Sequence, residues 1–384
     1  MVKTYQLIFL LCTIVLLFTG ARYVSLGSDI TSFIVAGDRS VDRDVHPYPI
    51  KIATNSQGYD GQKFYHLALN PFDTKAYEFG IRTNLSYRKQ RILYPLTAHI
   101  LALGNHIIVP AAMVVVNVIC FLFYLMIVAK FFKTANLIPS SIILFACLPA
   151  LYIALSRDLA EVMGLMFLVL TLFQAYKKQY LFFFIAASCA ILTREESILV
   201  IFPISAFLFL TSWKSKFGYR NLLFASLPGV VFLVWKSWIY LTYGSYDNIL
   251  VSIPFSGLIA GFQENFQISF SADRASIVNM LFPFYCLYIL LWYIVTAIYA
   301  SRYLRFKEVS YTSMLSYAWV LWTCFLSFLP NIVYNEELSF ARVLSVYGLL
   351  SLLLIVLHTK PPKWYYLFSV SMISLIMIRL VMYP

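Results

Sequence analysis

Charged residues are scarce in this sequence. Only 12% of its 384 residues are Asp, Glu, Lys or Arg, whereas 61% are hydrophobic, and so few charges cannot cover a water-soluble surface. This composition excludes a chain of two or three soluble domains and places the protein in a membrane, where apolar side chains face lipid as well as each other. The formal charge of +12 would suggest a nucleic-acid partner for a soluble protein, but for a membrane protein no nucleic-acid partner is expected.

Cysteine and histidine are also few, and neither predicts a metal site by its spacing. The 6 cysteines lie singly in apolar runs without a CxxC pair, which indicates small buried hydrophobes. The 5 histidines include no HxH or HxxxH pair. We interpret His66, which follows the Asp60 motif, as a structural or substrate contact rather than a metal ligand.

Long apolar runs, in contrast, recur along the whole chain. About eleven of them are suited to crossing a hydrocarbon core of roughly 30 Å, which predicts an all-α polytopic membrane protein with a single transmembrane domain over residues 1–384. The predicted spans are 7–26, 106–132, 137–155, 159–176, 179–193, 197–212, 222–242, 276–300, 312–330, 340–357 and 364–382.

The distribution of basic residues predicts the orientation. With the N-terminus in the cytoplasm, thirteen Lys and Arg residues but only one acid, Glu308, fall in cytoplasmic loops, which is typical of a multi-pass plasma (inner) membrane protein. Two long loops, 27–105 and 243–275, then face outward. Because irregular backbone is unstable in lipid, the first loop should fold over the outer face with interfacial helices, one of them running from Arg91 to Gly104.

Most acids lie in the predicted outward segments, so the outer face carries the reactive groups. Glu161 is the only acid within a span, and its spacing from Asp158 predicts both carboxyls on one outward-opening helix face. Charged outward turns recur at Arg194 and Arg342, and Lys236 lies in the outer half of the seventh span. These residues are either caps and interface anchors at span ends or cations that hold a phosphate at the outer interface.

The most distinctive string is Gly58-Tyr59-Asp60-Gly61-Gln62, followed by Lys63-Phe64-Tyr65. Glycines on both sides of Tyr59-Asp60 allow a tight turn that presents one carboxylate, and the following aromatics can anchor the loop at the interface. An ordinary Asp-Gly surface turn explains the same pattern equally well.

Three strings together resemble the GT-C superfamily of integral-membrane glycosyltransferases. They are the Gly58–Tyr65 string, Arg91-Ile92-Leu93-Tyr94-Pro95 ahead of the surface helix, and Leu192-Thr193-Arg194-Glu195 ahead of a span. The sequence is most similar to the bacterial branch that resembles protein mannosyltransferases and lipid A aminoarabinose transferases. The resemblance covers most of the chain in topology but only these short strings in sequence.

The resemblance implies inverting transfer of a hexose or pentose from a polyprenyl-phosphate donor to a glycan, lipid or protein acceptor, in cell-envelope polysaccharide biosynthesis. The active site would lie on the periplasmic face, with Asp60 as the catalytic base and cations at the leaving phosphate in place of a general acid. The implied phosphate or substrate contacts are Arg194, Lys236, Arg342, Tyr59, Gln62, His66 and Arg91, and the candidates for a second acid are Asp158, Glu161, Glu195 and Glu337.

Metal use stays open at this point. Many relatives carry two acids in the first outer loop, whereas Asp60 stands alone in its motif. No cofactor is therefore assigned, and a divalent cation is kept as a candidate.

Two other functions remain as alternatives. A transporter or lipid flippase usually has ionisable residues near the bilayer midplane and repeated halves, whereas this sequence has one acid within a span and no visible repeat. An outer-face polysaccharide polymerase or ligase would be favoured by a large late outer loop, but 243–275 is shorter than 27–105.

Overall fold

The computed structural model describes residues 4–75, 77–212, 218–244, 253–261, 263, 277–331, 334 and 338–382. These residues are mainly helical, with turns, irregular segments and two small sheets in the first loop. In chain order, the helices are α1 Thr4–Ser25, α2 Gly61–Leu69, α3 Leu85–Arg88, α4 Leu93–Leu101, α5 Val109–Thr134, α6 Ile142–Ala146, α7 Pro149–Leu155, α8 Glu161–Tyr176, α9 Tyr180–Thr193, α10 Ile198–Ser212, α11 Gly218–Tyr243, α12 Ile277–Ser301, α13 Tyr311–Ser327, α14 Ser339–Val343, α15 Ser345–His358 and α16 Lys363–Met382.

Within the described part of the chain, six helices are long and apolar enough to cross a membrane. Their outward faces carry large apolar side chains, such as Phe9, which is 75% exposed, and Leu241, which is 82% exposed. Such a surface would aggregate in water but is suited to acyl chains, so the prediction of a helical membrane protein is confirmed. The six helices are Thr4–Ser25, Val109–Thr134, Glu195–Ser212, Gly218–Tyr243, Phe284–Ser301 and Lys363–Met382.

Several other predicted spans form shorter apolar helices, namely Glu161–Tyr176, Tyr180–Thr193 and Ser345–His358. The predicted span 137–155 is wrong as a single helix, because α6 ends at Ala146 and α7 begins at Pro149. Leu148 between them is extended, since a residue that precedes proline is disfavoured in the helical region. The predicted span 340–357 is likewise divided between α14 and α15.

The first loop folds into small elements, as expected for a loop that covers one end of a helix bundle. The stretch 91–104, predicted as an interfacial helix, contains the shorter helix α4, and α2 packs between α4 and the N-terminal half of the loop. The strands were not predicted, because two-residue strands are too short to show an alternating pattern. Ala36–Gly37 (β1) pairs in parallel with Ile52–Ala53 (β2), and Tyr77–Glu78 (β3) pairs antiparallel with Ile81–Arg82 (β4).

The predicted loop 243–275 lies largely outside the described residues, which include only 243–244, 253–261 and 263 of it. The helices surround a buried core in which α8 packs against α5 and α9, and α7 is buried at every residue. The first loop meets one end of this bundle, where α8 and α10 begin and α9 ends. We call this the loop end of the bundle.

Candidate active site

A tight turn brings Asp60 to the loop end. The backbone N–H of Tyr59 donates to the carbonyl of Val35 at 2.8 Å, and Gly58 has a φ of +68°. A Cβ at Gly61 would lie 2.4 Å from the carbonyl oxygen of Arg157, so only glycine allows the start of α2 to approach the α7–α8 turn so closely. This contact explains the second glycine of the motif.

The Asp60 carboxylate faces two arginines rather than its own helix. Asp60 occupies the N-cap position of α2 but makes no side-chain capping bond. Its Oδ1 accepts from Nη2 of Arg88 at 2.5 Å, and its Oδ2 accepts from Nη2 of Arg342 at 3.1 Å. Burial alone would raise the pKa of Asp60, but the charges and hydrogen bonds of Arg88 and Arg342 hold it well below its usual range. The carboxylate is therefore ionised and only weakly basic in this arrangement.

Glu161 holds Arg342 from the other side. Its Oε1 accepts from Nε of Arg342 at 2.8 Å and also lies 3.0 Å from Nη1 of Arg194. The Glu161 residue is 1% exposed and begins α8. One buried carboxylate thus fixes two of the cations that the sequence suggested for donor phosphate.

A second branch connects the loop to the start of α10. Nε and Nη2 of Arg91 donate to the two carboxylate oxygens of Glu195 at 2.8 and 3.0 Å, which is the strong bidentate geometry. Arg194 also donates to Glu196 at 2.6 Å. Lys236 donates to the side-chain carbonyl of Gln90 at the side of this branch.

The ring of Tyr59 lies between two guanidinium groups, one of which belongs to Arg342. The Cζ atoms of Arg157 and Arg342 lie 4.4 and 5.1 Å from the centre of its ring, within cation–π range. We call the whole set the arginine–carboxylate cluster. Among the residues that the structure describes, its four carboxylates and five arginines are Asp60, Glu161, Glu195, Glu196, Arg88, Arg91, Arg157, Arg194 and Arg342.

Sequence reasoning missed Arg88 and Arg157 as site residues. A signal for Arg88 was present, because it stands three residues before Arg91 in a basic stretch and so on nearly the same side of a helical turn. Arg157 stands in the charged turn between α7 and α8. Neither pattern indicates on its own that the side chain reaches the Tyr59-Asp60 turn.

The prediction that Asp158 and Glu161 share an outward-opening helix face is wrong. Asp158 precedes α8 with a φ of +49° and is 0% exposed, whereas Glu161 contacts the arginines. Burial raises the pKa of Asp158 well above its usual range, and a contact with Asn117 only partly offsets this. The environment of Asp158 therefore disfavours its charged form.

Two other predicted residues face away from Asp60, and one falls outside the described part of the chain. Gln62 accepts from the backbone N–H of Gly37 at 3.1 Å and donates to the carbonyl of Gln57 at 2.8 Å, so its amide holds the loop together. His66 is buried on α2, one helical turn beyond Lys63, and its contacts are separate from those of Asp60. Glu337 lies outside the described residues.

Among the described residues, one group has the composition and spacing of a metal site. His66, Asp73 and Glu78 each offer a ligand atom, and these atoms lie within 4.8 Å of one another. Histidine spacing could not indicate this group, because two of its members are carboxylates from a turn and a strand.

Comparison with protein-family models, with curated proteins and with solved structures finds no match to this chain. The resemblance to the GT-C superfamily therefore rests on the three short strings that begin at Gly58, Arg91 and Leu192.

Proposed function

We propose that this protein is a membrane glycosyltransferase that moves a sugar from a polyprenyl-phosphate donor to an acceptor hydroxyl, with inversion and with Asp60 as the base. The observation that supports this most is the position of the Asp60 carboxylate between Arg88 and Arg342 at the loop end. One carboxylate beside several guanidinium groups is the set that such a reaction needs, because the leaving phosphate requires cations rather than an acid.

The phosphate of the donor would replace the Asp60 carboxylate as the partner of Arg88 and Arg342. A phosphodiester carries one negative charge, and guanidinium groups bind phosphate bidentately. The contacts of Arg342 Nε and Nη2 with Glu161 keep that guanidinium in place while the phosphate takes the position of the Asp60 carboxylate beside it. Asp60 then loses the cations that weaken it as a base, so donor binding activates the base.

The transfer step forms one bond and breaks one bond. Asp60 takes the proton of the acceptor hydroxyl while the hydroxyl oxygen forms a bond to the anomeric carbon of the sugar. The bond between that carbon and the phosphate oxygen breaks, and polyprenyl phosphate leaves with the electron pair. Arg88 and Arg342 stabilise the additional negative charge on the phosphate.

The location of the cluster favours transfer over transport. Glu161 and Arg342 stand at or just before the N-terminal ends of α8 and α15, and Asp60 immediately precedes α2. A transport site would be expected near the middle of the spans.

We further propose that the three shorter apolar helices, the α6–α7 pair and α13 cross the membrane together with the six long helices, which gives about eleven spans, a cytoplasmic N-terminus and a cluster on the periplasmic side of the inner membrane. A membrane-impermeant maleimide should label Asp44→Cys in intact cells and Lys307→Cys only after lysis. The reverse labelling pattern would contradict this orientation.

Native mass spectrometry of lipid that co-purifies with the protein tests the donor. We expect a polyprenyl-phosphate sugar on the wild-type chain and at least a tenfold loss of it in Arg342→Gln. Asp60→Asn should keep the lipid, but should release polyprenyl phosphate roughly 10²–10⁴-fold more slowly from a panel of synthetic hexosyl and pentosyl donors supplied with membrane extract as acceptor.

The matched control is Asp44→Asn, an exposed acid of the same loop outside the cluster. It should transfer sugar like the wild type. The proposal fails if wild-type protein neither carries such a lipid nor turns over any donor of the panel, or if Asp60→Asn transfers at the wild-type rate.

A further inference from the structure

The His66, Asp73 and Glu78 group joins three elements of the first loop. His66 lies on α2, Asp73 in the turn after α2, and Glu78 on β3. Nε2 of His66 and Oδ2 of Asp73 are 3.3 Å apart, and all three ligand atoms lie within 4.8 Å of one another. A divalent cation between them would bring each ligand to its usual distance with a small inward movement.

Each of the three side chains is held by a neighbouring group of the same loop. Thr83 Oγ1 lies 2.7 Å from Nδ1 of His66. The backbone N–H of Lys75 donates to Oδ1 of Asp73 at 2.8 Å, and Asn70 donates to Oε2 of Glu78 at 3.3 Å. Partners of this kind orient metal ligands in proteins, and they leave Nε2 of His66 and Oδ2 of Asp73 directed at a common centre.

A cation at that centre would be favoured by the two carboxylates. Asp73 is 6% exposed and His66 is 0% exposed, so water screens charge poorly on that side of the group. A nearby lysine, Lys89, donates its Nζ to the backbone carbonyl of Asp73 rather than to a carboxylate. Its charge acts on both Asp73 and Glu78 from beside the group.

We propose that His66, Asp73 and Glu78 bind one divalent transition-metal ion, Zn²⁺ or Mn²⁺. One imidazole nitrogen and two carboxylate oxygens form a mixed ligand set that both ions accept. Because Glu78 is only half-buried, water can reach the metal from that side as a further ligand. The site is separate from the arginine–carboxylate cluster and does not depend on the proposed transferase reaction.

The bound metal fastens the loop. It ties the β3–β4 hairpin and the turn at Asp73 to α2. The chain runs from β4 through Thr83 directly into α3, which carries Arg88, while α2 begins beside Asp60. A metal at this position therefore fixes the two segments whose side chains meet in the ion pair between Arg88 and Asp60.

Metal content of purified, untagged full-length protein tests the site. After loading with micromolar Zn²⁺ or Mn²⁺ and gel filtration, we expect about one ion per chain in the wild type, in Asp44→Asn and in Asp60→Asn, and less than about a tenth of that in His66→Gln and Glu78→Gln. Thr83→Val removes only an orienting partner and should weaken binding by roughly 10–100-fold.

A spectroscopic measurement separates this site from adventitious binding. The pulsed EPR spectrum of bound Mn²⁺ should show coupling to an imidazole nitrogen, and this coupling should vanish in Glu78→Gln and His66→Gln. Size-exclusion chromatography and circular dichroism check that both variants remain folded. Wild-type protein that stays metal-free after loading overturns the proposal, and so do folded His66→Gln and Glu78→Gln variants that retain the full metal content.

Discussion

Replacing Arg88 by Gln should raise the pKa of Asp60 by roughly 1–3 units, the usual effect of one adjacent arginine on an aspartate. The two side chains are 16% and 17% exposed, and their charged atoms are 2.5 Å apart. Two opposite charges about 4 Å apart near a protein surface attract each other by about 4 kcal/mol, and partial solvent access lowers this energy. One pKa unit corresponds to roughly 1.4 kcal/mol, so the attraction is large enough for the expected change in the pKa of Asp60. Arg342 remains and still lowers the pKa.

The direction of the titration follows from the sign of this shift. Because the pKa of Asp60 is lowered in the folded protein, its ion pairs stabilise the fold above the pKa of the unfolded chain and lose that effect as pH falls through the lower, folded value. In Arg88→Gln the protonation midpoint moves upward, so the carboxyl becomes protonated at a less acidic pH than in the wild type.

Infrared difference spectroscopy can follow this protonation without any substrate. The carbonyl band of the protonated acid is assigned to Asp60 by its absence in Asp60→Asn. Arg39→Gln, which removes an exposed arginine of the same loop, is the control and should leave the midpoint unchanged. A midpoint in folded Arg88→Gln equal to that of the wild type would refute the conclusion that Arg88 holds the pKa of Asp60 low.

Three further substitutions test the structure around the cluster. Gly61→Ala should lower thermal stability and activity because its Cβ meets backbone 2.4 Å away, whereas Gly20→Ala, with open space, should change neither. Glu161→Ala should destabilise the protein by about 3–5 kcal/mol in a denaturation assay, because it leaves two buried arginines without that carboxylate. Asp158→Asn should keep near-normal stability and activity, since burial raises the pKa of that carboxyl and disfavours its charged form, and a loss of turnover like that of Asp60→Asn would instead make it a second acid.

The fold was largely predictable from apolar runs, because span length and helix length are set by the same bilayer thickness. The prediction failed where proline interrupts a run, as at Pro149, since hydropathy ignores backbone conformation. The small strands of the first loop were also missed, because their pairing depends on contacts between segments rather than on local pattern.

The candidate site was predictable only as a set of residues at one end of the bundle. Asp60, Arg194 and Arg342 were identified by type and position, but the pairing of Arg342 with Glu161 and Asp60 joins residues 181 and 282 positions apart. Such pairs depend on which helices pack together, and a single sequence does not contain that information. The same limit explains why Arg88 was missed although it lies near Arg91.

The clustering of charge is itself an argument for function. A buried ion pair usually contributes little stability compared with apolar residues of the same size, because removing both charges from water costs about as much as their attraction returns. In a chain with only 12% charged residues, nine charged side chains at one end of the bundle are therefore poorly explained by stability. The proposed exchange of carboxylate partners for a phosphate on these guanidinium groups explains this density of charge.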